Sequence, residues 1–147
     1  MATHPDADCI VVGGGPAGLA TALGLCRVLH TVLLFDSGVY RNRYAKHMHT
    51  INTWDHTNPR DYRAAARKEL LSGRYKTVQI KDVALEQVVK LDSGLFKATD
   101  AQGKEWTART VVLAVGSTDV FPDIPGYEQC WGIGVLVSHF ALLKLSV

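Results

Sequence analysis

The chain has 147 residues, enough for one well-buried domain and too few for two ordinary ones. With 47% hydrophobic and 20% charged residues it has the composition of a soluble globular protein, and a formal charge of +2, with its basic residues scattered, argues against nucleic acid or an anionic membrane as partner. The first six residues carry no signal-peptide pattern, and Cys9, Cys26 and Cys130 form no CxxC pair, so a cytoplasmic, reducing setting is expected rather than a disulfide framework, and each thiol reads as a small buried apolar residue.

Taken from the amino terminus, Asp8 to Val12 form an apolar run that reads as a buried strand and leads straight into Gly13-Gly14-Gly15-Pro16-Ala17-Gly18. In this G-x-G-x-x-G, Gly13 permits a tight turn and Gly15 lets backbone approach a pyrophosphate at the N-terminus of the following helix. Gly18 lets that helix pack close to the strand. Ala22 and Leu25 continue the helix face, and Thr31 to Phe35 form a second strand that ends on Asp36. An acid about 20 residues beyond the glycines accepts hydrogen bonds from an adenosine ribose, and its charge disfavours a 2′-phosphate such as that of NADP.

Residues 37–56 form a long polar loop rich in aromatic and histidine residues, with His47, His49 and His56. Its length marks it as functional, and its aromatic content argues against disorder. Asn58 and Pro59 open a helix carried by Tyr62, Ala65, Ala66, Leu70 and Leu71 and stopped at Gly73. From Lys76 the period changes to two, predicting a meander of short strands: Val78 to Ile80, Val83 to Leu91, Phe96 to Asp100 and Trp106 to Ala108. Arg109 to Gly116 reads as a separate, fully buried strand ending at a glycine. Pro122 and Pro125-Gly126 mark a linker, and residues 133–147 form an apolar tail, too short for a membrane span, that follows a domain at residues 1–132.

This succession resembles the FAD domain of the thioredoxin reductase-like flavoproteins, in particular the fungal relatives that oxidise dithiols of the gliotoxin type. The residues that carry the resemblance are Gly13 to Gly18, Asp36-Ser37-Gly38, His47-Met48-His49, Trp54-Asp55-His56, Val111 to Gly116 and Ile124-Pro125-Gly126. It implies an α/β, Rossmann-like FAD-binding domain with a parallel central sheet and an inserted antiparallel β-meander. It also implies that Gly13, Gly15, Pro16 and Ala17 face the FAD pyrophosphate, Asp36 the adenosine ribose, and Arg41 the phosphates, with Ser37 also among the cofactor-binding residues. The Val83 backbone would meet the adenine edge, Ala114, Val115 and Gly116 would pass close to the cofactor, and His49 and Asn52 would lie along the flavin ring. His47 and His49 are the candidate catalytic residues; ordinary loop hydrogen bonding is the plain alternative for them and for His56.

The pattern departs from the family after Ile124-Pro125-Gly126. The family's G-[KR]-G turn reads Gly132-Ile133-Gly134 here, and Val135 to His139 stand where its Cys-x-x-Cys is expected. No second glycine-rich turn follows, so an NADPH-dependent thioredoxin reductase is not expected. Three functions stay open. The first is a flavin-linked oxidoreductase acting on a small molecule such as a fungal secondary metabolite. The second is a non-redox isomerase, cyclase or dehydratase using acid–base residues of the His-rich loop. The third is a non-catalytic paralogue. A homodimer that covers the apolar tail is expected, and no metal site, because the His and acidic residues lack a recognisable ligand spacing.

Overall fold

The computed structural model describes residues 4–131, which separate into two compact units. One comprises the chain up to Tyr40 together with Asp61–Gly116. The other comprises Arg41–Arg60 and the residues from Ser117 on.

The first unit is built on a six-stranded sheet. Strands β1 (Ala7–Val12), β2 (Val32–Phe35), β3 (Val78–Lys81), β4 (Leu85–Lys90), β5 (Phe96–Asp100) and β6 (Glu105–Leu113) lie in the order β3-β2-β1-β6-β5-β4. The β3-β2-β1-β6 part is parallel, and β6-β5-β4 is antiparallel. The expected α/β class, with a parallel central sheet and an antiparallel meander, is therefore observed.

Side chains of β1 and β2 alternate between two apolar layers. Cys9, Val11, Val32 and Leu34 pack with Leu19, Ala22 and Cys26 of helix α1 (Pro16–Arg27) and Leu70 of helix α2 (Pro59–Leu70). Ile10, Leu33 and Phe35 pack on the opposite face with Ala98 and Ala108, flanked by Val83, Leu85, Val88 and Trp106. Burial on both faces is why these strands read as unbroken apolar runs. Each large side chain fully buried there, such as Ile10, Leu34 or Phe35, contributes roughly 1.5–3 kcal/mol. Helix α2 begins as its sequence demands: the Asn58 side-chain oxygen accepts the Arg60 amide at 2.9 Å, and Pro59 occupies the first turn.

Three expectations for the first unit need correction. Val78 to Lys81 do not belong to the meander; they form β3, parallel to β2, in the register Val32↔Val78. Trp106 to Ala108 and Arg109 onward are one nine-residue strand rather than two, because β6 changes partner without breaking. The stretch from Arg109 is not fully buried: Arg109 and Thr110 are exposed, as are Leu113 (69%) and Val115 (65%). Only Val111, Val112 and Ala114 pack against the two apolar layers.

In the second unit a 3-10 turn, Arg41–Tyr44, is tied to the later segment. Arg41 donates to the Asp119 carboxylate, with Nη2 to Oδ1 at 2.8 Å, and the Tyr44 hydroxyl donates to Glu128 at 2.7 Å. Phe121 stacks edge-on with Trp131 at 4.9 Å and lies near Tyr44 and Tyr127. The expected linker contains a short helix, α3 (Tyr127–Cys130), entered through Gly126 at φ +83°. Cys130 is exposed, contrary to the expectation of a packed thiol, whereas Cys9 and Cys26 are buried. Among the described residues no helix is long and apolar enough to cross a membrane. The expected boundary after residue 132 and the apolar tail at 133–147 lie outside the described residues.

Candidate functional site

Between β1 and α1 the chain turns through Gly13, which holds φ +111°. A Cβ there would strike the Ala114 carbonyl oxygen, so side-chain-free backbone is required by both conformation and space. A Cβ on Gly18 would strike the Gly13 carbonyl oxygen, which is how the helix comes to sit tight on the turn. The position of Gly15 is different: nothing lies within 4 Å of a Cβ built there. Gly15 is also the N-cap of α1. No side chain caps that end, and the first turn holds no acidic residue. The positive end of a 12-residue helix is thus left without a capping side chain beside open space, an arrangement suited to an anion such as a phosphate.

Asp36 stands at the end of β2, 3% exposed. Its Oδ1 accepts the Gly38 amide at 2.9 Å. Its Oδ2 accepts the Tyr40 hydroxyl at 2.6 Å and Arg67 Nη1 at 2.9 Å. Arg67 comes from α2 and donates through Nη2 to Asp82 at 2.6 Å, so its guanidinium spans two carboxylates. Arg63, one turn earlier on α2, lies 3.8 Å over the Tyr40 ring. Burial, then the hydrogen bond to Asp36 and its negative charge, push the Tyr40 phenol up to about 12, which keeps it a donor. The Gly14 backbone presses on this carboxylate, because a Cβ at Gly14 would overlap Asp36 Oδ2.

The first unit thus brings together Gly13, Gly15, Pro16, Ala17, Asp36 and Ala114, whose amide donates to Val12 O at 2.8 Å. Ser37 and Val115 are exposed, Gly116 turns at φ +66°, and Val83 is half-buried in the second apolar layer. Arg41, His47, His49 and Asn52 belong to the second unit. There Arg41 is engaged by Asp119, Asn52 is exposed, and His47 Nδ1 lies 2.9 Å from the His56 carbonyl oxygen. His49 faces Asp55.

Reading the sequence missed Gly14, Tyr40, Arg67, Asp82 and Asp119. Gly14 occupies a variable position of G-x-G-x-x-G, and only the fold reveals what its missing side chain accommodates. Arg67 carried a usable signal. It lies one helical turn from Arg63 and follows the periodic residues of α2, so it falls on the helix side that faces β2 and β3.

Residues 7–144 match the family described as pyridine nucleotide-disulphide oxidoreductase. The chain is 60% identical over 124 residues to the thioredoxin reductase aclD of Aspergillus oryzae, covering 84% of this chain and 39% of that protein. It is 46% identical over 139 residues to a thioredoxin reductase of Gibberella zeae, covering 88% and 40%. The structure of an oxidoreductase from Agrobacterium tumefaciens superposes with a TM-score of 0.79 at 35% identity, over 86% of this chain and 42% of that one. A thioredoxin reductase from Giardia duodenalis has a TM-score of 0.73 at 15% identity, over 86% and 40%, a likeness of fold alone. The chain therefore spans about two fifths of the length of the curated relatives it matches. With a match that runs through the whole described sheet and both of its main helices, the chain belongs to the pyridine nucleotide-disulphide oxidoreductase family, on its thioredoxin reductase-like side.

Proposed function

We propose that this chain binds FAD and acts as the flavin-binding domain of a thioredoxin reductase-like oxidoreductase whose substrate is a small molecule, in the manner of a fungal secondary metabolite. The observation that carries the reading is the open space at Gly15 before the uncapped, acid-free start of α1, with the buried Asp36 carboxylate at the end of the next strand. A pyrophosphate fits the first of these, and the second stands at the position that takes an adenosine ribose in this turn. Family membership and the fungal thioredoxin reductases named above support the same choice of cofactor.

When bound, the flavin supplies electron transfer. The chain's own part is to hold and orient it. Backbone amides at the start of α1 neutralise the phosphates. The Asp36 carboxylate, already fixed by Tyr40, Gly38 and Arg67, accepts from the ribose hydroxyls without having to be ordered first. A negative charge at this position also repels a 2′-phosphate, which favours FAD over NADP at this turn. The reading places the protein in the cytoplasm, where reduced thiols such as Cys9 and Cys26 persist.

The test is the visible spectrum of the purified protein before and after incubation with FAD, followed by release and identification of the cofactor on denaturation. Flavin near one per chain is expected, and bleaching by added reductants marks it as redox-competent. Gly15→Ala has room for its methyl group, so its cost to folding stability should stay within about 1 kcal/mol, the loss of a glycine N-cap, while FAD binding weakens. A colourless protein that takes up no FAD sinks the proposal.

A further inference from the structure

Residues 48–57 of the second unit form a compact turn in which the family resemblance sets His49 and Asn52 along the flavin ring but gives Asp55 no role and His56 none beyond ordinary loop hydrogen bonding. The Met48 amide donates to Thr57 O at 2.7 Å and the His56 amide to Met48 O at 2.9 Å, closing the loop on itself. Thr50, Thr53 and His56 all hold left-handed backbone, at φ +68°, +68° and +60°. None of the three is glycine, and a β-branched threonine disfavours this region most, so the turn adopts a shape that these residues resist individually. The outcome of that shape is a cluster: His49, Asp55 and His56 converge.

The Asp55 carboxylate sits between the two imidazoles. His49 Nδ1 lies 3.3 Å from Oδ1, and His56 Nε2 lies 3.3 Å from Oδ2. One ligand atom from each residue falls within 4.8 Å of the other two, and the rings meet edge to face with centroids 4.6 Å apart. Zinc bonds of roughly 2.0–2.1 Å to nitrogen and oxygen place neighbouring tetrahedral ligands roughly 3.3–3.5 Å apart. Each of the two separations has the length of one such edge, but they run to different carboxylate oxygens, and the three ligand atoms lie within 4.8 Å of one another, so the side chains converge on a common point only after a rearrangement. A modest rotation of the carboxylate presents one oxygen to both imidazoles.

We propose that His49, Asp55 and His56 form a binding site for a divalent first-row transition cation, with zinc as its reference ion. Two imidazoles and one carboxylate suit zinc, iron(II), cobalt or nickel and disfavour calcium or magnesium, which require oxygen donors. Outer partners hold the ligands in place: the Thr50 amide donates to Asp55 Oδ1 at 3.1 Å, and His47 Nδ1 engages the His56 carbonyl oxygen at 2.9 Å. Three protein ligands leave a fourth position to water, the pattern of an open rather than a closed structural site. The ligand side chains are 54–62% exposed, so the ion exchanges freely with solvent. The cluster lies wholly within residues 49–56, and metal titration reads it out without FAD.

The experiment uses the full chain without an affinity tag, stripped with chelator and titrated with Zn(II) by competition dialysis and with Co(II) by visible absorption. One ion per chain is expected, with a cobalt ligand-field band and no thiolate charge-transfer band. Asp55→Asn, His49→Gln and His56→Asn should each weaken zinc binding at least about 10–100-fold, the loss typical of removing even an outer partner. Cys130→Ser, which removes the exposed thiol, should retain wild-type affinity. Absence of zinc binding, binding that survives all three ligand substitutions, or a thiolate band that disappears in Cys130→Ser overturns the proposal. The wild-type cobalt spectrum decides between imidazole and thiolate ligands even if a variant misfolds.

Discussion

Asp36 is a buried carboxylate with three donors, and most of the stabilising charge comes from Arg67, which is three-quarters buried itself. Removing one partner of such a pair leaves the other charge uncompensated in a poor solvent, which costs more than the pair itself contributes. Arg67→Met keeps the volume and drops the charge, so it should destabilise the fold by about 2–4 kcal/mol in urea titration and weaken FAD binding at the same time. Arg67→Lys should fall in between, because an ammonium lacks the fork that spans Asp36 and Asp82.

Tyr40 makes a pH prediction. Its phenol is raised to about 12 in the fold, above an ordinary value near 10. The neutral form is the one the fold prefers, so its contribution is fully present below pH 10 and is lost as pH rises from 10 towards 12. The stability difference between wild type and Tyr40→Phe should be constant up to about pH 10 and shrink above it. A difference that is flat through pH 11.5 would mean that the hydroxyl does not hold Asp36.

The glycines of α1 divide by what surrounds them. Gly18 meets the Gly13 carbonyl and the Ala114 side chain, whereas Gly24, in the same helix, meets nothing within 4 Å. Gly18→Ala should therefore force α1 away from the turn and cost roughly 3 kcal/mol. Gly24→Ala should stabilise the protein by about 0.5–1 kcal/mol through helix propensity alone. Urea midpoints of the two variants, measured side by side, check the contrast.

The β1–turn–α1–β2 segment was legible because each part leaves a local trace: continuous apolar runs, fixed glycine spacing, and an acid at a set distance. Helix α2 was legible through Asn58, Pro59 and the spacing from Tyr62 to Leu70. What could not be read was pairing. Val78 to Lys81 show the same alternation whether their neighbour is parallel or antiparallel, and the deciding partner, β2, lies more than forty residues upstream. The run from Arg109 to Gly116 reads as wholly buried because hydrophobicity records the tendency of a residue to be covered. It does not record whether a layer exists to cover it. His49, Asp55 and His56 were unreadable as a group for another reason. A separation of six residues and then one matches no helix or strand period, and only left-handed backbone at Thr50, Thr53 and His56 brings them together.

Across the molecule, several large apolar side chains remain outside both cores: Val115 is 65% exposed in the first unit, and Val120 is 93% and Ile124 57% exposed in the second. Single exposed residues of this kind are ordinary; several on a chain of this size support the proposal that two copies associate. Sedimentation equilibrium at micromolar concentration should return about twice the 16.1 kDa chain mass. A mass of one chain, unchanged with concentration, would overturn the homodimer expected from the sequence.

Strand β6 is shared property. Ala108 is paired with Phe96 on one side, antiparallel, and with Ala7 on the other, parallel. At the same end of the sheet the Thr107 amide donates to the Asp6 carboxylate at 2.7 Å, across 101 positions of sequence. The nucleotide half therefore has no independent finishing point. Strand β1 keeps one unsatisfied edge until a segment made some hundred residues later arrives to close it, a long-range pairing of the kind that slows folding. While the chain is still being synthesised, that edge offers an apolar strand with free amides and carbonyls to any neighbour that reaches it first. In the finished protein the same sharing has the opposite effect. Ala108, paired on both sides, has no local way to open, so its amide exchange with solvent should follow global unfolding.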